Sequence, residues 1–276
     1  MNWKYLALAI AGSGFLFGAG AATADGFGRS LKDGPAGCSP GRFGGAYIGA
    51  NVGWGHSNSK WDETEPPPPD ADTPTPRRDF DNNGVVAGGQ IGYNVQCGGY
   101  LFGIESDASW ANLSATHTLP GINNATGLVD GTEVDIYRDR ATWFGTTRVR
   151  VGGLVHDNLL LYATGGIAYA TFKHSLVDGF DVNDPGEPGL TGSGSDTRIG
   201  WTLGGGGEYA ITDSISLKAE ALYLGFGKNQ VFAISDANAG ETENFTVDDN
   251  IWVVRAGLNI KLDSLLRRDS PVEPLK

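Results

Sequence analysis

Cysteine and histidine are scarce in this chain of 276 residues. There are only two cysteines and four histidines. Two cysteines are too few for a cysteine-rich zinc module, and neither Cys38 nor Cys97 has a histidine near it in sequence, which argues against a thiol–imidazole nucleophile. The histidines His56, His117, His156 and His174 are scattered and form no metal-ligand spacing. Positive charge is also short: the formal net charge is −12, the wrong sign for a nucleic-acid partner. Beyond the first residues no stretch approaches the ~18 consecutive apolar residues of a membrane helix. Gly204–Gly207 lacks the Lys-Ser/Thr pair and the following helix of a phosphate-binding loop.

The start of the chain carries a secretion signal. Lys4 precedes a mostly apolar run, and Ala22-Thr23-Ala24 is a small-x-small cleavage site, so residues 1–24 are expected to be removed before Asp25. Residues 25–43 are Gly-rich and mixed in charge, and read as a periplasmic lead-in. Residues 263–276 read as a periplasmic tail, too short for a domain.

What fills the rest is a rhythm. Eight segments with period-two alternation occupy 44–55, 84–95, 100–112, 142–153, 159–172, 197–210, 215–227 and 250–262, joined by connections that are alternately long and short. Each segment suffices to cross a bilayer as a tilted strand of ~9–11 residues. Short turns on one side and long loops on the other predict an all-β fold: an eight-stranded antiparallel up-and-down transmembrane β-barrel over 44–262.

Charge positions test the two faces. The segments hold Glu105/Asp107, Arg148/Arg150, Arg198/Glu208, Lys218/Glu220 and Arg255/Lys261, and both members of every pair share parity. Independent placement would give that roughly one time in thirty under strict alternation. The opposite faces are apolar, as in Trp252, Val254, Ala256, Leu258 and Ile260, with Ser106 a small polar exception. A Lys or Arg on a lipid face at mid-depth costs about 2–4 kcal/mol, and none occurs there. Trp54, Trp110, Trp143, Trp201 and Trp252 lie on the apolar face near the long-loop end. Tyr93, Tyr100, Phe102 and Tyr209 lie near the short-turn end. Two aromatic girdles at two interfaces are expected of a membrane barrel. Trp61 is assigned to a loop.

The ten charged residues are predicted to form one paired network inside a narrow lumen, because unpaired charge there is costly. Glu105/Asp107 should face Arg148/Arg150, and Lys218/Glu220 should lie between Glu208 and Arg255. Inward glycines such as Gly49, Gly53, Gly88, Gly92, Gly200, Gly204 and Gly206 are expected to leave room for them. Cys38 precedes the first strand and Cys97 sits in the turn after the second, so both reach the periplasmic rim, where a disulfide is predicted. The first long loop, with Pro66–Pro69, Pro74 and Pro76, reads as a stiff exposed segment.

Two further chemistries have candidate residues. His174-Ser175 with Asp178 is weakly reminiscent of a lipid A deacylase arrangement, with loop residues the plainer reading. His56, His117 and His174 converging outside the barrel would offer haem ligands. Neither displaces a non-enzymatic reading with no cofactor.

Several runs carry a family resemblance: GGAYIGANVGWG at 44–55, GGQIGYN at 88–94, FGIESD at 102–107, TTRVRVG at 146–152, LYATGGIAY at 161–169, GWTLGGGGEY at 200–209, KAEALY at 218–223 and RAGLNIK at 255–261. Together they resemble the porin-like outer-membrane immunogenic proteins of alphaproteobacteria, small barrels related to the OmpA transmembrane domain. The resemblance implies an abundant outer-membrane surface protein supporting envelope integrity. The expected partners are outer-membrane lipid and lipopolysaccharide, with host or environmental ligands at the loops. Some relatives are described as porins and some as haem-binding, and the family supplies no enzymatic residue set. Relatives usually end on an aromatic residue, whereas this chain closes its last strand on Leu262 before the tail.

Overall fold

The computed structural model describes residues 38, 41–64, 78–123, 128–181, 190–236 and 241–262. The leader, most of the lead-in, the proline-rich run and the tail lie outside the described residues. Eight strands follow one another: β1 (Gly45–Thr64), β2 (Arg78–Cys97), β3 (Tyr100–Asn123), β4 (Leu128–His156), β5 (Leu159–Asp181), β6 (Leu190–Ala210), β7 (Ile215–Asp236) and β8 (Glu241–Lys261). Each pairs antiparallel with its neighbours, and β1 pairs with β8 to close the ring. Closure gives every strand two partners, so no backbone edge is left for lipid, which has no hydrogen bonds to offer.

The strands are longer than the alternation in sequence suggested. They run from 20 to 29 residues. At ~3.3 Å per residue and a tilt of ~40°, 20 residues rise about 50 Å, twice the ~25 Å apolar band of such barrels. The surplus lies at the long-loop end. Much of what reads as loop in sequence is therefore wall, and Trp61 belongs to β1, where it is buried inside the barrel. Polarity hid this extension: above the membrane both faces of a strand tolerate polar residues, so the lipid-face signal disappears although pairing continues.

One irregularity redirects side chains. Ala141 pairs with Phe172 and Trp143 with Thr171, leaving Thr142 as an extra residue on β4. Below it the even positions Phe144, Thr146, Arg148 and Arg150 are buried inward. Above it the odd positions Tyr137, Asp139 and Ala141 are. The bulge switches parity within one strand.

The bore is filled in layers. At the short-turn end Phe43, Leu101, Leu160, Tyr162 and Ala210 form an apolar floor. Charged residues follow, then a thick apolar layer including Val86, Leu113, Phe144, Phe172, Leu222, Leu224 and Ile251. A second polar cluster lies above that, under a cap of Trp61, Phe80, Tyr137, Leu176 and Val247. The charged network that the alternation predicts is thus only part of the filling; apolar layers flank it because a bore without a water column is a protein core and favours apolar packing.

The lead-in ends as part of the floor. Asn94 Nδ2 donates to the Phe43 carbonyl (3.0 Å), the Phe43 amide donates to Gln96 Oε1 (3.2 Å), and Cys38 is bonded to Cys97. The predicted disulfide is present, and it ties the lead-in to the β2–β3 turn.

Inward glycines do more than free volume. A Cβ on Gly53 would sit 2.2 Å from the Val254 carbonyl oxygen and 2.6 Å from Arg255 Cα. Outward Gly89 has only the Gly49 carbonyl, at 3.5 Å. Gly53→Ala is expected to lower unfolding stability in urea by about 1–3 kcal/mol, since the obstacle is backbone. Gly89→Ala should leave the transition within error of wild type.

Candidate functional site

All ten predicted lumen residues lie on inward positions, and eight of them form one assembly. Strand register brings it about: Glu105 pairs with Arg148 across β3–β4, Glu208 with Lys218 across β6–β7, and Glu220 with Arg255 across β7–β8. Arg148 Nη2 reaches Glu105 (2.5 Å) and Asp107 (3.0 Å), while Nη1 reaches Glu220 (3.2 Å). Arg255 bonds Asp107 (2.9 Å) and Glu220 (2.7 Å). Lys218 bonds Glu105 (2.8 Å), and Arg150 bonds Glu208 (2.6 Å).

Four carboxylates thus meet four cations, so the assembly is formally neutral. Tyr47 Oη accepts from Arg150 (2.7 Å) and donates to Glu105 (2.7 Å). Tyr162 donates to Glu220 (3.0 Å), and its ring lies 4.0 Å from the Arg150 guanidinium. Neither inward tyrosine belongs to the charge pattern that marks the lumen face in sequence. The signal was available, since Tyr47 shares parity with Gly49, Asn51 and Gly53.

The other two charges belong elsewhere, a correction to a single ten-residue network. Lys261 is at the mouth, where Nζ donates to the carbonyls of Gly41 (3.1 Å) and Arg42 (3.2 Å). Arg198 sits beyond the apolar layer and bonds Asp249 (2.7 Å) and Asp196 (2.7 Å). Inward parity gives a face; depth along the strand decides the partner, and both residues lie too far along the axis to meet the central group.

Arg198 belongs to a second buried cluster, above the tryptophan girdle. His174 Nδ1 is 2.7 Å from Asp139 and Nε2 is 3.3 Å from Asp249. Ser59 donates to Asp249 (2.5 Å), and Trp61 Nε1 donates to Asp139 (3.2 Å). Burial opposes charge on His174, but the two carboxylates outweigh it and raise the imidazole to about 9. Asp139 and Asp249 read as loop acids in sequence. Asp139 comes inside only through the Thr142 bulge, which no residue pattern announced.

The alternative chemistries fare differently from their sequence appearance. His174 is buried inward, and Ser175, next to it on a strand, points to the opposite face, so the two do not form a nucleophile–base pair. Asp178 contributes backbone pairing to Leu190. His117 stacks on Phe80 (4.4 Å) inside the wall, whereas His56 faces outward and bonds Asn83 (2.9 Å), so the three histidines do not converge. The girdle is present: Trp54, Trp110, Trp201 and Trp252 are exposed, and Trp143, paired with Trp110, is half-buried.

Two measurements probe these clusters. Arg148→Met strips three carboxylates of a shared partner and is expected to destabilise by about 3–5 kcal/mol in urea, as broken buried pairs do. The raised His174 favours the folded state fully below pH ~6.5 and loses that contribution as pH rises toward 9. The melting-temperature difference between wild type and His174→Gln should therefore shrink across that window.

Residues 11–259 match the family model described as "Outer membrane protein beta-barrel domain". The 31 kDa outer-membrane immunogenic protein of Brucella melitensis is 32% identical over 218 residues, covering 79% of this chain and 82% of the relative. The 25 kDa outer-membrane immunogenic protein of that organism is 30% identical, covering 74% and 76%. The solved outer membrane protein OprG of Pseudomonas aeruginosa aligns with a TM-score of 0.44 and 13% identity over 80% of this chain and 98% of that one. This closed eight-stranded chain is an outer-membrane protein and belongs to the outer membrane protein beta-barrel domain family.

Proposed function

We propose that this protein is a structural wall element of the outer membrane, supporting envelope integrity and presenting an acidic surface to the exterior, rather than a conduit. The observation that carries this reading is the filled bore. A solute would have to separate Arg148 from Glu105, Asp107 and Glu220, and then cross a layer where Phe144, Leu222, Leu224 and Ile251 have no exposed surface. Breaking buried ion pairs and wetting an apolar layer are both costly.

The outer half of the strands supports the second part of the reading. Asp62, Asp79, Asp81 and Asp248 lie on paired strand rather than on free loops. Lys228, bonded to Asp62 (2.6 Å), adds a cross-strand tie there. A stiff, acidic collar above the lipid suits contact with lipopolysaccharide through shared divalent cations and contact with host or environmental ligands.

Purified protein in planar bilayers is expected to show no stable channel of large conductance. A gene deletion should raise detergent sensitivity and vesicle release while leaving small-solute uptake unchanged. Steady large conductance, or a deletion that slows uptake with an intact envelope, would replace this reading with a porin.

A further inference from the structure

Above the tryptophan girdle the ring is no longer continuous. β2 and β3 pair only up to Val86 and Ala111, and β6 and β7 only up to Trp201 and Gly225; beyond these points no pair joins them among the described residues. The other ladders run on. β7, β8, β1 and β2 stay paired as far as Asp236 with Glu241, Thr64 with Asn244 and Arg78 with Trp61. β3, β4, β5 and β6 stay paired as far as Asn123 with Leu128, Glu133 with Asp181 and Asp178 with Leu190. The projecting wall is therefore two leaves, β7-β8-β1-β2 and β3-β4-β5-β6, with a seam on either side.

Each seam opens where a strand is irregular at the height of the girdle. β3 shifts register between Trp110 and Leu113, and β7 between Gly225 and Lys228, with Gly227 in the left-handed region at φ 67°. Bulges bend a strand and increase its twist, which turns β3 and β7 away from their former neighbours. Solvent dictates the height. A seam in hydrocarbon would strand backbone N–H and C=O groups, whereas water serves them above it.

Side chains hold the leaves together. Asp249 of β8 is the meeting point: it takes His174 of β5 (3.3 Å) and Arg198 of β6 (2.7 Å), and Ser59 of its own leaf donates to it. Trp61 of β1 crosses to Asp139 of β4 (3.2 Å) and lies edge-on to Tyr137, with 5.3 Å between ring centroids. Phe80 stacks on His117 across one seam, and Asn229 donates to Asp196 (2.9 Å) across the other. Each cation also has a carboxylate on its own leaf: Asp139 for His174 (2.7 Å) and Asp196 for Arg198 (2.7 Å). Parting the leaves thus leaves neither cation unpaired, and Asp249 passes to water with Ser59. The central group differs, because taking away a partner there strands buried charge.

We infer that the extracellular half is a two-leaf clamp, hinged at the tryptophan girdle and latched at Asp249, which opens to expose its aromatic interior while the ring within the membrane stays shut. Trp61, Phe80, Tyr137 and Leu176 form the mating surface, so the opened clamp offers an apolar cleft to the exterior. The collar acids Asp62, Asp79, Asp81 and Asp248 all belong to one leaf and move with it as a body. The clamp sits above the central ion group, so its opening does not bear on whether the bore conducts.

The test uses full-length mature protein in phospholipid nanodiscs, with the Cys38–Cys97 bond kept oxidised and spin labels at outward positions. Lys60→Cys with Lys173→Cys reports the distance between the leaves, and Val52→Cys with Ile167→Cys reports the same two strands within the membrane. Asp249→Asn keeps the shape of the latch and removes its charge. It is expected to raise the ratio of open to closed leaf distances about tenfold or more, the effect of losing hydrogen bonds to a charged group, with the membrane pair unchanged. Amide exchange on the β1–β8 and β4–β5 ladders above the girdle should stay as slow as in wild type, because the leaves move as bodies. Heat-modifiable mobility on gels shows which variants fold. Trp61→Phe, which removes the cross-leaf bond to Asp139 and keeps an aromatic ring, replaces Asp249→Asn if that variant does not, with a shift in the same direction. The inference is overturned if the leaf distances match wild type, if the membrane pair broadens as well, or if exchange quickens within the leaves.

Discussion

An eight-stranded ring has little room inside, and whatever enters it loses water. That constraint organises the molecule. Charges can stand in such a bore only as a balanced set, and the central group meets the condition with four carboxylates against four cations. Each arginine there spans more than one strand: Arg148 of β4 holds β3 and β7 together, and Arg255 of β8 reaches Asp107 on β3. The assembly therefore ties opposite walls of the ring as well as filling it. A barrel is already closed by backbone hydrogen bonds, and these cross-bore ties resist flattening of its section.

The layering above and below follows from the same confinement. Polar groups are clustered where they can satisfy one another, and apolar layers separate the clusters. The floor at the periplasmic mouth recruits Phe43 from the segment before β1, held by Lys261 and the Cys38–Cys97 bond. The upper cluster around His174 lies above the tryptophan girdle, under an aromatic lid. Its position outside the membrane span leaves His174 and its carboxylates as the buried titrating group of the projecting wall.

The lipid face obeys the opposite rule: no charge, bulky apolar side chains, and aromatic belts at the two interfaces. Ser106, Thr147 and Tyr169 are an exception, and they bond one another across β3, β4 and β5.

Much of this was legible in the residues. Period-two alternation with parity-matched charges fixes strand number, faces and the identity of the central ion-pairing residues, because a lipid face excludes charge and a strand has only two faces. The disulfide followed from placing two cysteines at the same rim of adjacent strands. Three things waited for the tertiary structure. The strands extend far above the membrane, where polar residues on both faces erase the pattern. The Thr142 bulge turns Asp139 inward, and a bulge depends on how three strands pair rather than on local sequence. Depth in the bore, set by register, parts Arg198 and Lys261 from the eight charges they match in parity. Sequence alone determined which side of the wall each residue faces within the membrane span; only the closed, sheared ring decided which residues turn inward above it and which meet at the same height.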